Sequence, residues 1–569
     1  MSIVRVADKP PLDAARRWRM LRGMPADLTY SFPRDGTGAY RLLRAGADRL
    51  LRRFEAALDD PRAAQQARLD VILRIARGTA FGDAHELDRV DTLEDLRAAV
   101  PIRDHAGHLP WLQRVAAGER DVLTRERVQM LLETSGTTGT PKHLPVTATW
   151  ARGVSEAQQL WVLALLRDHP AVADGAALTI VSAAVHGRSP GGLPIGSNTG
   201  RMHRAQPWWI RARYPVPYKV FTIQDPDVRT YCLLRFALQA RLKTITTANP
   251  STLLLLGRRL EAWREPLSRD LADGTLQHGP AAGLSPAFRA SLRWRLRKRP
   301  VPRDWRIGRL WDLACVNCWQ GGPAAYFVSR LPEALGADIP LREVGITASE
   351  GYFAIPLGAD WGGGVLWPMG HVMEFIGDDG RARWGWELEP GEQVRLVVTT
   401  EAGLYRYDLK DTLEVVGRCR NAPVLRFVGK TGRYLNATGE KVSEAQVSAA
   451  IRDATAALGL APEGFTVRLE WGEVPRFVLA VEGVEPERIA DLGVAFDAAL
   501  RRENLEYESK RGTARLAPAL AQRLPGGTYL RYRRARVAAG APEGQVKDPV
   551  LALDDVEWGR LRAAAGEGT

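Results

Sequence analysis

At 569 residues the chain is several times longer than a common domain of about 150, which points to a multi-domain protein or a large enzyme core with an appendage. Hydrophobic residues make up 45% and charged residues 25%, ordinary globular usage that excludes a disordered or fibrous chain. The net charge of +13 invites a polyanion partner, but only ten of the 79 basic residues are Lys, and the Arg are scattered along the chain. The densest basic stretch, 289–299, has no RNA-reading motif beside it, so it is expected as a solvated helix face and nucleic acid is not an expected partner.

No apolar run approaches the roughly 18 residues of a membrane helix, and residues 1–17 lack the apolar centre of a secretion signal. Four Cys exclude a disulfide scaffold, and the expectation is a cytoplasmic protein with no membrane partner.

In chain order, residues 39–99 carry apolar residues at three- and four-residue spacing, through Leu50, Leu51, Phe54 and Leu58, then Leu69, Ile72, Leu73 and Ile75. This spacing predicts an N-terminal helical layer. Short apolar runs at 128–132, 178–182, 244–247, 310–316 and 343–347 alternate with amphipathic helices, predicting an α/β core with largely parallel strands. Cys315 and Cys318 fall in a buried strand predicted at 313–319, where residues three apart face opposite ways, so core packing is expected rather than metal or redox chemistry. His105 and His108 lack any accompanying ligand pattern. From 363 to 416 the pattern turns to strand and turn, with hairpin signals at 378–380 and 389–392. The last segment, 429–549, predicts a small α+β domain with helices at 443–456 and 485–504 and strands at 466–469 and 476–481.

The strongest chemical signal is L-L-E-T-S-G-T-T-G-T-P-K at 131–142. Its small residues let the amides of Ser135, Gly136, Thr137, Thr138 and Gly139 approach oxyanions, the hydroxyls add donors, and Lys142 supplies a mobile charge. This is a polyphosphate cradle, though not the Lys-bearing P-loop, because Lys142 is not adjacent to Gly139.

The loop resembles the phosphate motif of the adenylate-forming superfamily. G-I-T-A-S-E-G-Y at 345–352 resembles its second motif, and G-L-Y-R-Y-D-L-K-D at 403–411 its third. With A-F-G at 80–82, V-P-I at 100–102, Pro145 and the segment 540–549, the pattern is similar to a bacterial-type member of the auxin-inducible acyl-acid amido synthetases, the Gretchen Hagen family, over roughly residues 70 to 550. The resemblance implies an α/β fold with a large N-terminal domain, 1–429, that includes a β-rich subdomain, and a small mobile C-terminal α+β domain, 430–569, hinged near 430–433.

The resemblance also implies roles. Ser135, Thr137, Thr138 and Lys142 would hold the β- and γ-phosphates of ATP, Ser349 and Glu350 form the motif pair, and Glu350 would help bind Mg²⁺. Asp411 would accept both ribose hydroxyls. Lys547 would reach the α-phosphate as pyrophosphate departs, and Gly321 and Gly322 would let adenine lie against backbone. Three positions depart from the family pattern. Ile346 replaces an adenine-facing aromatic, Lys410 replaces a Gly, and Val550 replaces an Arg. Residues 191–202 and the pair Trp208–Trp209 are readable either as acyl pocket or as turn and core, and Arg152 as a carboxylate binder or surface helix.

The reading is an ATP-dependent ligase that activates a carboxylic acid as acyl-AMP and passes the acyl group to an amine, with an amino acid as the expected acceptor. Transfer to coenzyme A or a carrier thiol shares the first half-reaction and stays open. So does a non-catalytic nucleotide or acyl sensor on the same fold.

Overall fold

The computed structural model describes residues 27–134, 142–322, 324–438, 440–472, 474–513, 515–539, 541 and 546–566. The predicted helical layer is present as Gly38–Gly46, Asp48–Asp59, Pro61–Ala76, Ala80–Ala84 and Leu93–Ala99. Asp60 caps the third of these, with Pro61 at its first position, and Thr92 with Asp95 forms a capping box on the last. Leu50, Leu51, Phe54, Leu58, Leu69, Ile72 and Leu73 face the first core, as their spacing predicts.

That core also takes in an eight-stranded antiparallel sheet, whose longest strands are Tyr407–Cys419 and Ala422–Lys430. A second core surrounds a four-stranded parallel sheet made of Ala176–Thr179, Leu242–Thr246, Cys315–Asn317 and Leu341–Arg342. Parallel pairing also occurs outside this sheet, joining Gly464–Glu470 to Leu551–Ala552 and Arg476–Glu482 to Leu520–Leu524. The predicted 128–132 strand, observed as Met130–Thr134, lies instead in a mixed sheet, antiparallel to Lys142–Val146 and parallel to Pro194–Gly196. The predicted 343–347 strand is observed only at its end, within the antiparallel strand Ile346–Ala348, while the parallel edge strand Leu341–Arg342 lies just before it. A short apolar run suits either ladder, so periodicity alone could not separate them.

The turn at 378–380 closes a hairpin between Val372–Ile376 and Ala382–Trp384. The one at 389–392 does not, because Gln393–Thr399 pairs with the opposite edge of Val372–Ile376. Cys315 packs into the first core and Cys318 into the second, on opposite faces as expected. Among the described residues no group of three metal-ligating side chains occurs, and no helix is long and apolar enough to cross a membrane.

Residues 435–551 contribute a third core under a four-stranded sheet, with helices Glu444–Leu458 and Ile489–Glu503. Further elements in this segment, Leu505–Gly512, Leu520–Leu524 and Thr528–Ala538, went unpredicted.

Candidate active site

Ile346–Ala348 and Gly351–Ile355 pair antiparallel with Ala348 opposite Gly351, so Ser349 and Glu350 form the two-residue turn between them. Trp150, buried on the helix Ala148–Asp168, donates its indole N–H to the Glu350 carbonyl at 2.9 Å and pins that turn. Burial raises the Glu350 carboxyl above the usual range, while Lys430 and Lys142 pull it back. Burial, and then the nearby Glu350 carboxylate, pushes the Tyr407 phenol well above its ordinary range. Lys142 opens the strand Lys142–Val146, and burial lowers its ammonium against the opposing pull of Glu350.

Asp411 is buried and stands directly opposite Lys430 in the ladder between the two longest strands; the two form an ion pair. Lys430 also donates to the Leu409 carbonyl at 3.1 Å. Lys410 adopts φ +58°, a left-handed conformation that Gly reaches without steric cost. Its ammonium bonds Asp104 at 2.6 Å. The Lys547 ammonium lies 4.9 Å from the centre of the Trp319 ring. Desolvation by the surrounding protein, then Lys430, lowers the Lys547 pKa, and Asp411 opposes both.

Three contacts frame the passage to the last segment. The Thr431 N–H bonds the Lys410 carbonyl at 2.6 Å, tying it to the large body. Arg433 bonds Glu444 at 2.8 Å and Glu557 at 2.9 Å, both in the last segment. Between them Gly432 has φ +79°, with nothing within 4 Å of where a side chain would begin.

Gly321 and Gly322 follow Trp319 and Gln320 on a loop against Ala422–Lys430. A Cβ on either glycine would meet Phe427, at 2.7 Å from its carbonyl oxygen and 2.9 Å from its ring. Close packing on this strand therefore accounts for both glycines. Glu343 holds the loop by accepting the Gln320 N–H at 2.8 Å, and it also accepts the Val344 N–H at 2.9 Å. Burial pushes its carboxyl up to about 7 despite these bonds. Ile346 is half-buried against the first core, as an aliphatic wall.

Of the sequence-predicted residues, Lys142, Glu350, Asp411 and Lys547 come within one electrostatic neighbourhood, with Ser349 in the same turn as Glu350. Ser135, Gly136, Thr137, Thr138 and Gly139 lie outside the described residues. Sequence reasoning missed Lys430, Tyr407, Trp319 and Glu343. It also missed Glu133, which is buried with its carboxylate between His143 at 3.3 Å and His186 at 3.1 Å. Burial pushes that carboxyl up, but the two imidazoles outweigh it and hold it down at about 2. Trp208 is 75% exposed, so it is not core, and Arg152 sits on an exposed helix face.

The donor set fits a magnesium ion carried in on a triphosphate. Mg²⁺ takes one or two carboxylates and fills its octahedron with water and phosphate oxygen. Glu350 is a carboxylate of that kind, its charged form disfavoured by burial and by Asp411 and favoured by Lys430 and Lys142.

Comparison with known proteins gives these positions a family. The GH3 N-terminal domain matches residues 50–341, the central domain 364–430 and the C-terminal domain 445–555. The chain belongs to the GH3 family. Its relatives are amido synthetases. "Probable indole-3-acetic acid-amido synthetase GH3.4" of Oryza sativa subsp. japonica is 27% identical over 433 residues, 69% of this chain and 67% of the relative. Jasmonoyl–L-amino acid synthetase JAR4 of Nicotiana attenuata is 23% identical over 446 residues, covering 72% and 76%. The fold matches GH3.15 acyl acid amido synthetase with a TM-score of 0.80 at 20% identity, over 90% of this chain and 94% of that one. It also matches 2-hydroxyisobutyryl-CoA ligase in the postadenylation state, complexed with 2-HIB-AMP, with a TM-score of 0.50 at 15% identity over 96% of both chains. The GH3 chain therefore has the adenylate-forming fold.

Proposed function

We propose that this GH3 protein is an ATP-dependent acid–amine ligase. It activates a carboxylic acid as acyl-AMP with release of pyrophosphate, then transfers the acyl group to an amino acid. The observation that carries this reading is that Lys142, Glu350, Asp411 and Lys547, from four separate segments, come within electrostatic reach of one another around Lys430. The substrate carboxylate attacks the α-phosphorus, the pyrophosphate oxygen leaves, and the amine nitrogen later displaces AMP from the acyl carbon. Lys142 and residues 135–139 would bind the β- and γ-phosphates, and Lys547 the growing charge at the α-phosphate. Glu350 would hold Mg²⁺, whose role is to neutralise phosphate charge. Gly321 and Gly322 would border the adenine, with Ile346 on its other side.

The chain would work as two bodies, 1–429 and 430–569, pivoting at 430–433. The arrangement of Thr431, Gly432 and Arg433 supports this pivot. A cytoplasmic setting is part of the proposal and accords with four free, buried cysteines.

Asp411 would accept the ribose hydroxyls. Asp411→Asn removes a charged acceptor and is expected to weaken ATP binding by about 1.5 to 3 kcal/mol, with a smaller effect on acid affinity. Equilibrium titration with ATP checks this, and an unchanged constant would leave Asp411 only its pairing with Lys430. The broader test is a mass-spectrometric screen of acids against amino acids and coenzyme A in the presence of Mg·ATP. Amide products are expected. Thioester would select the thiol ligase, and bound ATP with no product would select the sensor.

A further inference from the structure

Arg201 is a half-buried guanidinium with no carboxylate partner among the described residues. It lies on the helix Asn198–Ala205, which Ser197 caps by accepting the Gly200 N–H at 3.1 Å. Gly200 fixes where this helix sits, because a Cβ there would fall 2.3 Å from the Ser182 carbonyl and 2.5 Å from the Ala184 amide. Arg201 spends Nε and one Nη on a single neutral acceptor, the Asn198 side-chain oxygen, at 3.0 and 2.9 Å. Among the described residues no Asp or Glu lies within 4 Å of it. By contrast, Arg406 pairs with Glu374, and Arg433 pairs with Glu444 and Glu557.

The surroundings connect Arg201 to the active site. Its guanidinium carbon lies 5.4 Å from the centre of the Trp150 ring, and Trp150 is the residue that pins the Glu350 turn. Burial alone pushes Arg201 down to about 10, with no neighbouring charge opposing it. A guanidinium has five N–H donors in a planar fork suited to a carboxylate, and here most of that fork is unspent. Burying a cation without a counter-ion is costly, and a ligand that brings the anion removes the cost.

We propose that Arg201, oriented by Asn198, receives a substrate carboxylate that is not consumed in ligation. This inference rests on the ligase reading. The carboxylate that is activated ends on AMP, so the one Arg201 holds is a second one. Its source is either the α-carboxylate that an amino acid keeps through to the amide product or a second acid group on the acyl substrate. Either would form charge-assisted, forked hydrogen bonds with the unspent donors.

The test uses the full-length protein with the acid and amino acid returned by the product screen. Wild type is assayed with the amino acid and with its carboxamide, and with a monocarboxylic acid and its dicarboxylic analogue. Arg201→Gln is expected to raise KM for the carboxylate-bearing substrate by about 10- to 100-fold, the range for losing a hydrogen bond to a charged group. It should also abolish the preference over the carboxylate-free analogue, leave ATP affinity unchanged, and be partly rescued by Arg201→Lys. Loss of the amino acid preference assigns the acceptor, and loss of the dicarboxylate preference in amine-free pyrophosphate exchange assigns the acid. Equal loss with every substrate pair, or no change, overturns the proposal. If Arg201→Gln does not fold, wild type decides alone, since indifference to both free carboxylates overturns it. Absence of acid-dependent exchange in wild type would instead count against the ligase reading itself.

Discussion

Lys547→Ala is expected to slow acid-dependent pyrophosphate exchange by about 10²- to 10³-fold, roughly 2.7 to 4 kcal/mol of transition-state stabilisation. The Lys547 side chain is exposed, its ammonium lies over Trp319, and desolvation and then Lys430 lower its pKa, so an arriving anion would offset the neighbouring Lys430 charge. Charge at the α-phosphate grows mainly as pyrophosphate leaves, so ATP affinity should change little. Supplying synthetic acyl-AMP bypasses the affected step, and amide formation from it should stay near the wild-type rate. Equal impairment in both assays would show that Lys547 supports the closed arrangement generally and has no selective role in adenylation.

Glu374→Ala is expected to destabilise the large domain by about 3 to 5 kcal/mol, the range for leaving buried partners of an ion pair uncompensated. Glu374 is 1% exposed and accepts from Arg406 at 2.8 and 3.0 Å and from Arg97 at 2.8 Å. Arg406 also donates to the Arg97 and Val100 carbonyls, tying the end of the helix Leu93–Ala99 to the strand that carries Tyr407 and Asp411. The thermal-unfolding midpoint should fall, with activity at low temperature less affected. An unchanged midpoint would mean that the two arginines find other acceptors.

Much of this site was legible because its residues lie in recognisable local patterns. Ser349–Glu350 follows a strand run, Asp411 follows the Tyr-Arg pair, and Lys142 ends the Gly-rich loop. Lys430 was not legible as a partner of Asp411, because their pairing depends on the ladder register across the Tyr407–Cys419 and Ala422–Lys430 hairpin, which contains bulges. The Glu133–His143 contact follows from a hairpin register in which the two stand opposite, but His186 reaches Glu133 from a separate strand region that no local signal links to it. Beyond its place in 191–202, Arg201 carries no sequence signature, since a half-buried charge without a counter-ion is defined by what surrounds it. The glycines at 321 and 322 invited a ligand explanation, whereas their immediate constraint is Phe427. Parallel and antiparallel strands were confused where the apolar runs were only three to five residues long.

The most direct measurement of the central claim is exchange of labelled pyrophosphate into ATP by the purified protein across a panel of aryl, indolyl and fatty acids. Exchange that depends on the acid and needs no amine is expected, because adenylation is reversible and precedes acyl transfer. ATP binding without exchange for any acid in the panel would contradict that claim.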